Sequence, residues 1–322
     1  MEAFDLIASI LVLIISTFGV FGNTNIVVAT LRKSCFQNKS GVLICAVALY
    51  NNISLICSFS IIVRTVQGVV IMQNECFKTM GFCFAVQLLS ICALLTLAVD
   101  RLIAVSFPCS YTTIKTWMPM LFSTIIGGAL SITFMTLSVI SLGADHNIPV
   151  CSEGTALPRS LQRYGNVVFI TINVAIVAIY LLAYAILYWR KAQRSHSDAA
   201  VSNSLRVHTK AMKSIAFFIF VFCFSWFLSQ ILASILRYTE SRTSALVFIT
   251  KLIMICSISI SYSHCYYVYL WTSKDYRAAF LEQLRCATGK IFVTSNVIIS
   301  SPSIRANQNL EVQRSRSFVR TA

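Results

Sequence analysis

The chain has 322 residues, of which 57% are hydrophobic and only 11% are charged. A soluble globular protein carries about 25% charged residues, so this composition excludes a soluble enzyme and indicates a membrane protein. The net charge of +15 does not predict nucleic acid binding, because the basic residues lie in short gaps between apolar runs.

Seven runs of apolar residues are long enough to cross a bilayer, which takes about 20 residues each. The first run follows the acidic residues Glu2 and Asp5, whereas a signal peptide would begin with basic residues, so we interpret it as a span. The predicted fold class is an all-α membrane protein, a seven-transmembrane-helix bundle. We place its spans at 6–31, 41–63, 76–105, 117–143, 164–189, 213–236 and 244–270.

Basic residues predict the orientation of this bundle. The side that holds the first, third and fifth connections and the segment after span seven carries 19 of the 26 lysines and arginines. The positive-inside rule makes that side cytoplasmic. We therefore expect a multi-pass plasma-membrane protein with its amino terminus outside the cell and its carboxyl terminus inside.

The segment after span seven predicts a short amphipathic helix on the inner leaflet, because residues 273–285 carry apolar side chains at helical spacing. Cys286 directly follows and is a palmitoylation candidate as a juxtamembrane cysteine. From residue 287 the chain is polar and rich in serine, which predicts a disordered cytoplasmic tail. The predicted domains are a membrane-embedded domain over 1–286 and this tail over 287–322.

An acid and an arginine stand side by side at the inner end of span three, as Asp100 and Arg101. A charge at the centre of a membrane helix costs about 2.5–3.5 kcal/mol, so the pair belongs at a membrane boundary. Asp100 is the only acidic residue in the predicted spans, which argues against a membrane enzyme. The histidines and cysteines lack metal-ligand spacing, so we expect no metal site and no cofactor.

Four motifs follow one another along the chain. They are Phe21-Gly22-Asn23, Asp100-Arg101-Leu102, the Phe222 to Trp226 run, and the Cys265 to Tyr269 run with Tyr276 seven residues beyond it. In this order and at this spacing they resemble the motifs of rhodopsin-like G protein-coupled receptors over residues 22–280. Finer details of 224–228 and 269–277 are most similar to nematode serpentine chemoreceptors of the Srsx class.

This resemblance implies a role for each motif. Asp100 would hold Arg101 in the resting state, and Arg101 would contact a heterotrimeric G protein when released. The other switch residues would be Phe222, Trp226, Tyr269 and Tyr276. Arrestin and receptor kinases are further expected partners through the serine-rich tail.

Cys76 and Cys151 both fall on the predicted extracellular side, where an oxidising environment makes them disulfide candidates. The resemblance implies that they pair with each other. In the membrane interior, Asn23 and Asn51 form an expected inter-span polar core, with Asn51 hydrogen-bonded to Asn23. Asn51 stands where many relatives carry a sodium-binding aspartate, so the neutral amide argues against a sodium site.

Two departures from the family pattern affect the expected switch. Residues 208–213 offer His208, Lys210 and Lys213 where some relatives have an acid, which leaves Asp100 as the only evident restraint on Arg101. No proline follows Trp226 and Tyr266 replaces the span-seven proline, so kinks at these places must arise in another way or be absent.

A ligand-binding cleft is expected in the extracellular half of the bundle, between spans three, five, six and seven. Cys83 lies 18 residues before Arg101, where amine receptors of this family carry aspartate, so monoamines are disfavoured. We expect the phenylalanines of span six to face lipid or to fill the core of the bundle, rather than to form an aromatic ligand-binding box. Contact between helices is the alternative for every polar candidate. The pocket candidates are Cys83, Gln87, Trp226, Ser229, Gln230 and Lys251.

The expected function is binding of an extracellular ligand, a chemosensory small molecule, coupled to activation of a heterotrimeric G protein. The alternative is a neuropeptide receptor of the same fold, because the balanced charge of the extracellular loops does not distinguish the two functions. Location in sensory cilia would favour an odorant. A membrane transporter or channel is the more distant alternative, because the chain shows no inverted repeat and no Gly/Pro-broken helix with charges at mid-membrane.

Overall fold

The computed structural model describes residues 2–67, 71–142, 147–148, 151, 153–193, 214–232, 235 and 245–287. Its helices, in chain order, are α1 (Glu2–Arg32), α2 (Lys39–Gln67), α3 (Gln73–Ser106), α4 (Pro108–Thr113), α5 (Met118–Ser141), α6 (Glu153–Ala156), α7 (Arg159–Gln193), α8 (Ser214–Leu232), α9 (Ala245–Ser263), α10 (Cys265–Thr272) and α11 (Lys274–Ala287). A 3-10 turn (Ser34–Phe36) lies between α1 and α2.

Six helices in the described part of the chain are long and apolar enough to cross a membrane: α1, α2, α3, α5, α7 and α8. The seventh predicted span is divided at His264 into α9 and α10, and its apolar part, Ile249–Ser263, is shorter. The predicted all-α membrane bundle is confirmed. The predicted amphipathic helix after span seven is also present, as α11.

α3 is the central helix of the bundle. In its most apolar stretch 67% of residues are buried, against 22% in α5, whose outer face exposes isoleucine and leucine side chains as a lipid-facing helix does. Lipid tails are as apolar as these side chains, so burial of α3 stabilises the bundle through van der Waals contact rather than transfer from water.

Gly127 allows α5 to approach α3 closely. A Cβ atom at this position would lie 3.1 Å from the main-chain Cα of Leu89 and 3.3 Å from Cβ of Cys92. The neighbouring Gly128 faces open space, with nothing within 4 Å of an added Cβ. Small residues at helix contacts are the usual means of close packing in membranes.

The chain turns sharply after α3 because of Pro108. Proline has no N–H and restricts the residue before it, and Phe107 accordingly leaves the helical region with φ −134° and ψ 67°. Pro108 then occupies the first turn of α4, where a missing N–H costs nothing. Tyr111 follows one turn later and is directed back toward the end of α3.

The start of α2 lies at this same end of the bundle, which we call the Arg101 end. Oδ1 of Asn38 accepts a hydrogen bond from the Gly41 N–H at 2.9 Å and so caps the first turn. A side chain at Gly41 would collide with the main-chain oxygen of Phe36, so the tight entry into α2 requires glycine. This turn places Lys39 and Ser40 beside α3.

The opposite end, which we call the disulfide end, contains a short antiparallel strand pair, β1 (Ile71–Met72) with β2 (Asn147–Ile148). Ile71 pairs with Ile148 and Met72 with Asn147. The strands tie the turn before α3 to the segment after α5. The helices belong to one compact unit, Met1–Gln283, and a second unit begins at Leu284 within α11.

Candidate functional site

Asp100 and Arg101 form a buried ion pair near the end of α3. Nη2 of Arg101 lies 2.6 Å from Oδ2 of Asp100, and Nε lies 3.2 Å from the same oxygen. Their side chains are 2% exposed for Asp100 and 11% for Arg101. Charge-assisted hydrogen bonds of this kind are about twice as strong as neutral ones. The arrangement holds the guanidinium against its own helix.

Two further side chains bind this pair, and sequence reasoning missed both. Oγ of Ser40 donates to Oδ2 of Asp100 at 2.9 Å and accepts a hydrogen bond from Arg101. The hydroxyl of Tyr111 donates to Oδ2 of Asp100 at 3.3 Å and accepts from Nη2 of Arg101 at 3.2 Å. The expectation that Asp100 is the only evident restraint on Arg101 is therefore wrong. We call Ser40, Asp100, Arg101 and Tyr111 the Arg101 cluster.

Lys39 holds Tyr111 in this cluster. Its Nζ lies 3.7 Å from the centroid of the Tyr111 ring and donates to the main-chain oxygen of Tyr111. Burial raises the pKa of the Tyr111 phenol to about 12, although the Arg101 guanidinium acts in the opposite direction. The phenol therefore keeps its proton and remains a donor to Asp100 at physiological pH.

Tyr180 of α7 is a further residue near Arg101 that sequence reasoning did not single out. It is buried and within electrostatic range of the guanidinium and of Tyr269 on α10. The hydroxyls of Tyr180 and Tyr269 are buried without a hydrogen-bond partner among the described residues. Both hydroxyls therefore have hydrogen-bonding capacity that the described residues do not use.

Aromatic stacking joins α10 and α11 to the turn after α1. The rings of Tyr269 and Tyr276 are 4.9 Å apart, and Tyr276 stacks on Phe36 at 4.2 Å with an interplanar angle of 14°. An exposed ion pair joins Nζ of Lys33 to Oε2 of Glu282 at 2.7 Å. The structure therefore places Tyr276 in a packed junction beside Tyr269.

Two disulfide bonds fix the disulfide end of α3. The implied pair Cys76–Cys151 is present and joins α3 to the segment after β2. A second bond, Cys57–Cys83, joins α2 to α3. The pocket candidate Cys83 therefore has no free thiol, because its sulfur is bonded to Cys57. The sequence places both cysteines at similar depth, which is the one signal that could have suggested their pairing.

An aromatic cluster lies one residue beyond Cys83 in the bundle interior. The rings of Phe84 and Phe134 are 5.5 Å apart, those of Phe84 and Phe169 are 5.9 Å apart, and those of Phe169 and Trp226 are 6.0 Å apart. All four side chains are buried. An aromatic group of this kind was not expected, because sequence reasoning considered only the phenylalanines of span six. We call these four residues the aromatic cluster.

The phenylalanines of α8 divide between lipid and core, as the sequence predicts. Phe220 and Phe224 are exposed, whereas Phe218 and Phe222 are buried against His264.

The remaining pocket candidates lie at three levels of exposure. Ser229 is buried, Gln87 and Gln230 are partly buried, and Lys251 is exposed.

The protein-family model described as "Serpentine type 7TM GPCR chemoreceptor Srsx" matches residues 16–284. The chain belongs to the Srsx family. Among curated proteins no match was found. The family is one of membrane receptors rather than enzymes, and the resemblance stated from the motifs is confirmed.

The polar core of this Srsx chain differs in one contact from the prediction. Nδ2 of Asn23 donates to the main-chain oxygen of Tyr262 at 3.0 Å, and Oδ1 of Asn51 accepts from Ser90 at 3.0 Å. The expected hydrogen bond between Asn51 and Asn23 is not formed: Oδ1 of Asn23 and Nδ2 of Asn51 are both buried without a hydrogen-bond partner among the described residues. The two residues therefore tie α1 to α9 and α2 to α3.

Several sequence expectations fall outside the described residues of this Srsx chain. They are the basic segment 208–213, the side chain of Cys286 and the tail from 288 onward. Within the described residues, no group of three or more His, Cys, Asp or Glu side chains is arranged to hold a metal ion.

Proposed function

We propose that this Srsx chain is a chemoreceptor that binds an extracellular small molecule and activates a heterotrimeric G protein. The observation that carries the proposal is the closed Arg101 cluster at one end of a bundle that belongs to a receptor family. Burying a guanidinium costs free energy that a purely structural site would avoid with an apolar side chain. A cluster that can open offers a reason to keep this charge.

The orientation is part of the proposal: the Arg101 end faces the cytoplasm and the disulfide end faces outward, in the plasma membrane. Disulfides form and persist in the oxidising extracellular environment, which supports this assignment. The Arg101 end also carries three exposed tryptophans, which fit the headgroup level of the inner leaflet: Trp117, Trp189 and Trp271. At the same end, Arg190 donates a hydrogen bond to the Ser106 carbonyl at 2.8 Å. Sensory cilia would be the expected location for an odorant receptor.

In the resting state, three partners hold Arg101: Asp100, Ser40 and Tyr111. Activation requires the guanidinium to leave them, and Tyr180 is a nearby acceptor that has no other hydrogen-bond partner among the described residues. Once released, Arg101 would be exposed to a G protein. A ligand drives this change only if it binds the open state more tightly than the closed state.

The aromatic cluster favours an uncharged ligand. An ion in that environment would lack a counter-charge and would lose its hydration, which is costly in an apolar interior. Aromatic rings instead favour apolar and aromatic molecules through stacking and edge-to-face contact. The charged side chains described at the disulfide end are all exposed: Glu75, Lys78, Arg159, Arg163 and Lys251.

The test is a G protein dissociation assay in heterologous cells that express the full chain. Cells are exposed to a panel of uncharged odorants and, separately, to a panel of amidated peptides. We expect responses to uncharged molecules, loss of response in Arg101→Ala, and no loss in Lys115→Ala, an exposed basic control at the same end. Surface expression of each variant is measured by an extracellular epitope.

Pocket variants test where the ligand binds. Phe169→Ala should reduce the potency of an active odorant, whereas Phe224→Ala, an exposed phenylalanine of α8, should not. Responses to peptides alone would favour the neuropeptide alternative. An ion current or substrate uptake that persists in Arg101→Ala would overturn the receptor proposal.

Two regulatory proposals concern residues beyond the bundle. Palmitoylation of Cys286 would anchor the end of α11 to the inner leaflet, and [3H]palmitate labelling lost in Cys286→Ser would show it. Receptor kinases and arrestin would act on serines of the tail after activation. Phosphopeptide mapping before and after stimulation tests that partner assignment.

A further inference from the structure

His264 occupies the break between α9 and α10, and both nitrogens of its ring lie against main-chain carbonyl oxygens. Nδ1 lies 3.2 Å from the oxygen of Ile260 in its own helix. Nε2 lies 3.1 Å from the oxygen of Phe218 in α8. The side chain is 6% exposed, so water does not compete freely for either contact.

The tautomer of His264 decides whether α8 is held or repelled. A neutral imidazole has one N–H, so only one of the two carbonyls can receive a hydrogen bond. With the proton on Nε2, the ring donates across to Phe218 and ties two helices together. With the proton on Nδ1, a nitrogen lone pair faces the Phe218 oxygen at 3.1 Å, which is unfavourable.

The Nδ1 position does not require the proton. The oxygen of Ile260 already accepts the main-chain N–H of His264 at 3.1 Å, so it is satisfied within the helix. Each tautomer leaves one ring nitrogen facing a carbonyl oxygen with no proton between them, and the closer of the two oxygens is that of Phe218. We therefore place the proton on Nε2, where it adds a hydrogen bond between two helices rather than a second one within α9.

Aromatic packing makes the contact sensitive to any movement of α8. The His264 ring stacks on Phe218 with centroids 4.9 Å apart and an angle of 19°. Phe222, one turn further along α8, lies 6.3 Å from the same ring. Phe218 also contacts Tyr269, at 5.9 Å. A shift of α8 by one side-chain width would break the hydrogen bond and the stack together.

We propose that His264 is a positioning residue that latches α8 to the seventh span in the resting receptor through its Nε2–H bond to the Phe218 carbonyl. The assignment rests on the proposed function, because it makes release of α8 a step in activation. It also gives the two helices a defined connection at a place where neither has a proline to set its geometry.

Amide variants separate the latch from a merely structural role. The amide nitrogen of glutamine reaches about where Nε2 of histidine lies, and that of asparagine about where Nδ1 lies. His264→Gln therefore keeps a donor to Phe218, and His264→Asn keeps a donor only to Ile260. His264→Phe keeps the ring and removes both donors.

The first readout needs no G protein. Cys223 of α8 is buried and its thiol contacts Oδ1 of Asn173, so alkylation by a membrane-permeant maleimide reports displacement of α8. Cys256 of α9 is partly exposed and serves as the internal reference. Labelling of the full-length receptor in cell membranes is followed by peptide mass spectrometry.

We expect His264→Asn and His264→Phe to raise the Cys223 labelling rate, relative to Cys256, about two- to tenfold. This range corresponds to the loss of one inter-helix hydrogen bond. His264→Gln should stay near wild type. Basal G protein activation per surface receptor should rise in the same two variants.

Equal labelling in His264→Asn and His264→Gln would overturn the latch, and it would do so even if His264→Phe does not reach the surface. Increased labelling without any G protein response in wild type or variants would support the latch and count against the proposed function. The two proposals can thus fail separately.

Discussion

Replacing Asp100 by asparagine removes the negative charge from the Arg101 cluster, and leaves the positive one, with almost no change in shape. Oδ2 of Asp100 is the shared acceptor for Arg101, Ser40 and Tyr111, at 2.6, 2.9 and 3.3 Å. An asparagine oxygen can still accept some of these bonds, but it no longer attracts the guanidinium as an ion. The closed state should therefore weaken while the fold is preserved.

The magnitude follows from the chemistry of the lost contact. Hydrogen bonds to charged groups contribute about 1.5–3 kcal/mol and neutral ones about 0.5–1.5 kcal/mol. Taking about 3 kcal/mol for the charged contact, because it is buried, and about 1 kcal/mol for the neutral contact that replaces it, the difference is about 2 kcal/mol. Because 1.4 kcal/mol is tenfold in an equilibrium constant, the closed-to-open balance shifts about 30-fold. A receptor that is about 1% open would become about 20% open.

Basal G protein activation, divided by the number of receptors at the cell surface, measures this shift. The matched control is Glu75→Gln, the same carboxylate-to-amide change in the exposed ion pair between Oε1 of Glu75 and Nζ of Lys78, which are 2.7 Å apart. Exposed pairs are worth about 0–1 kcal/mol, so the control should leave basal activity unchanged. Arg101→Ala combined with Asp100→Asn should return the signal to background.

A silent Asp100→Asn receptor at normal surface expression would refute the reasoning. It would mean that the charge of Asp100 contributes nothing to the closed state, and that the neutral partners hold Arg101 alone. A rise in activity with Glu75→Gln as well would point to general loosening of the fold rather than to the Arg101 cluster.

Three other predictions test the structure at separate places. Tyr111→Phe removes one neutral hydrogen bond from the Arg101 cluster, so basal activity should rise about two- to tenfold, less than for the loss of the carboxylate charge. The double variant Cys57→Ala/Cys83→Ala opens a loop with a sequence separation of 26, worth at most about 3–4 kcal/mol. Its thermal unfolding temperature in detergent should fall, and non-reducing peptide mapping of wild type should find the cross-linked peptide. Gly127→Ala should cost about 1–3 kcal/mol of stability against the α3 backbone, whereas Gly128→Ala should be neutral or stabilising; thermal unfolding of both variants checks this contrast.

The depth of residues in the bundle could be predicted from the sequence. Helices rise 1.5 Å per residue, so counting along span three placed Cys76 at one end and Arg101 at the other. Apolar run lengths predicted the membrane bundle, and the order of the motifs predicted the family. These quantities depend only on distance along one helix.

Contacts between helices could not be predicted in the same way. Ser40 and Tyr111 lie in the first turn of α2 and in the short α4, and nothing in their own sequence indicates that both reach Asp100. The Cys57–Cys83 pairing depends on the rotation of two helices about their axes, which depth does not specify. Phe84, Phe134 and Phe169 likewise form a cluster only because three helices turn these rings toward each other.

The two ends of α3 are held by different chemistry, and this difference constrains how a ligand can act. At the disulfide end, Cys76 and Cys83 are covalently bonded to other segments, so α3 and α2 cannot separate there. At the Arg101 end, hydrogen bonds worth a few kcal/mol hold the cluster. A ligand with micromolar affinity has about 8 kcal/mol of binding free energy, of which only the part that differs between states moves the equilibrium. A differential part of a few kcal/mol would open the Arg101 cluster, whereas non-covalent ligand binding does not break the disulfide bonds that hold the other end of α3. In the proposed receptor, the helices that respond to a ligand are therefore those that contribute to the aromatic cluster and carry no disulfide among the described residues: α5 through Phe134, α7 through Phe169 and α8 through Trp226.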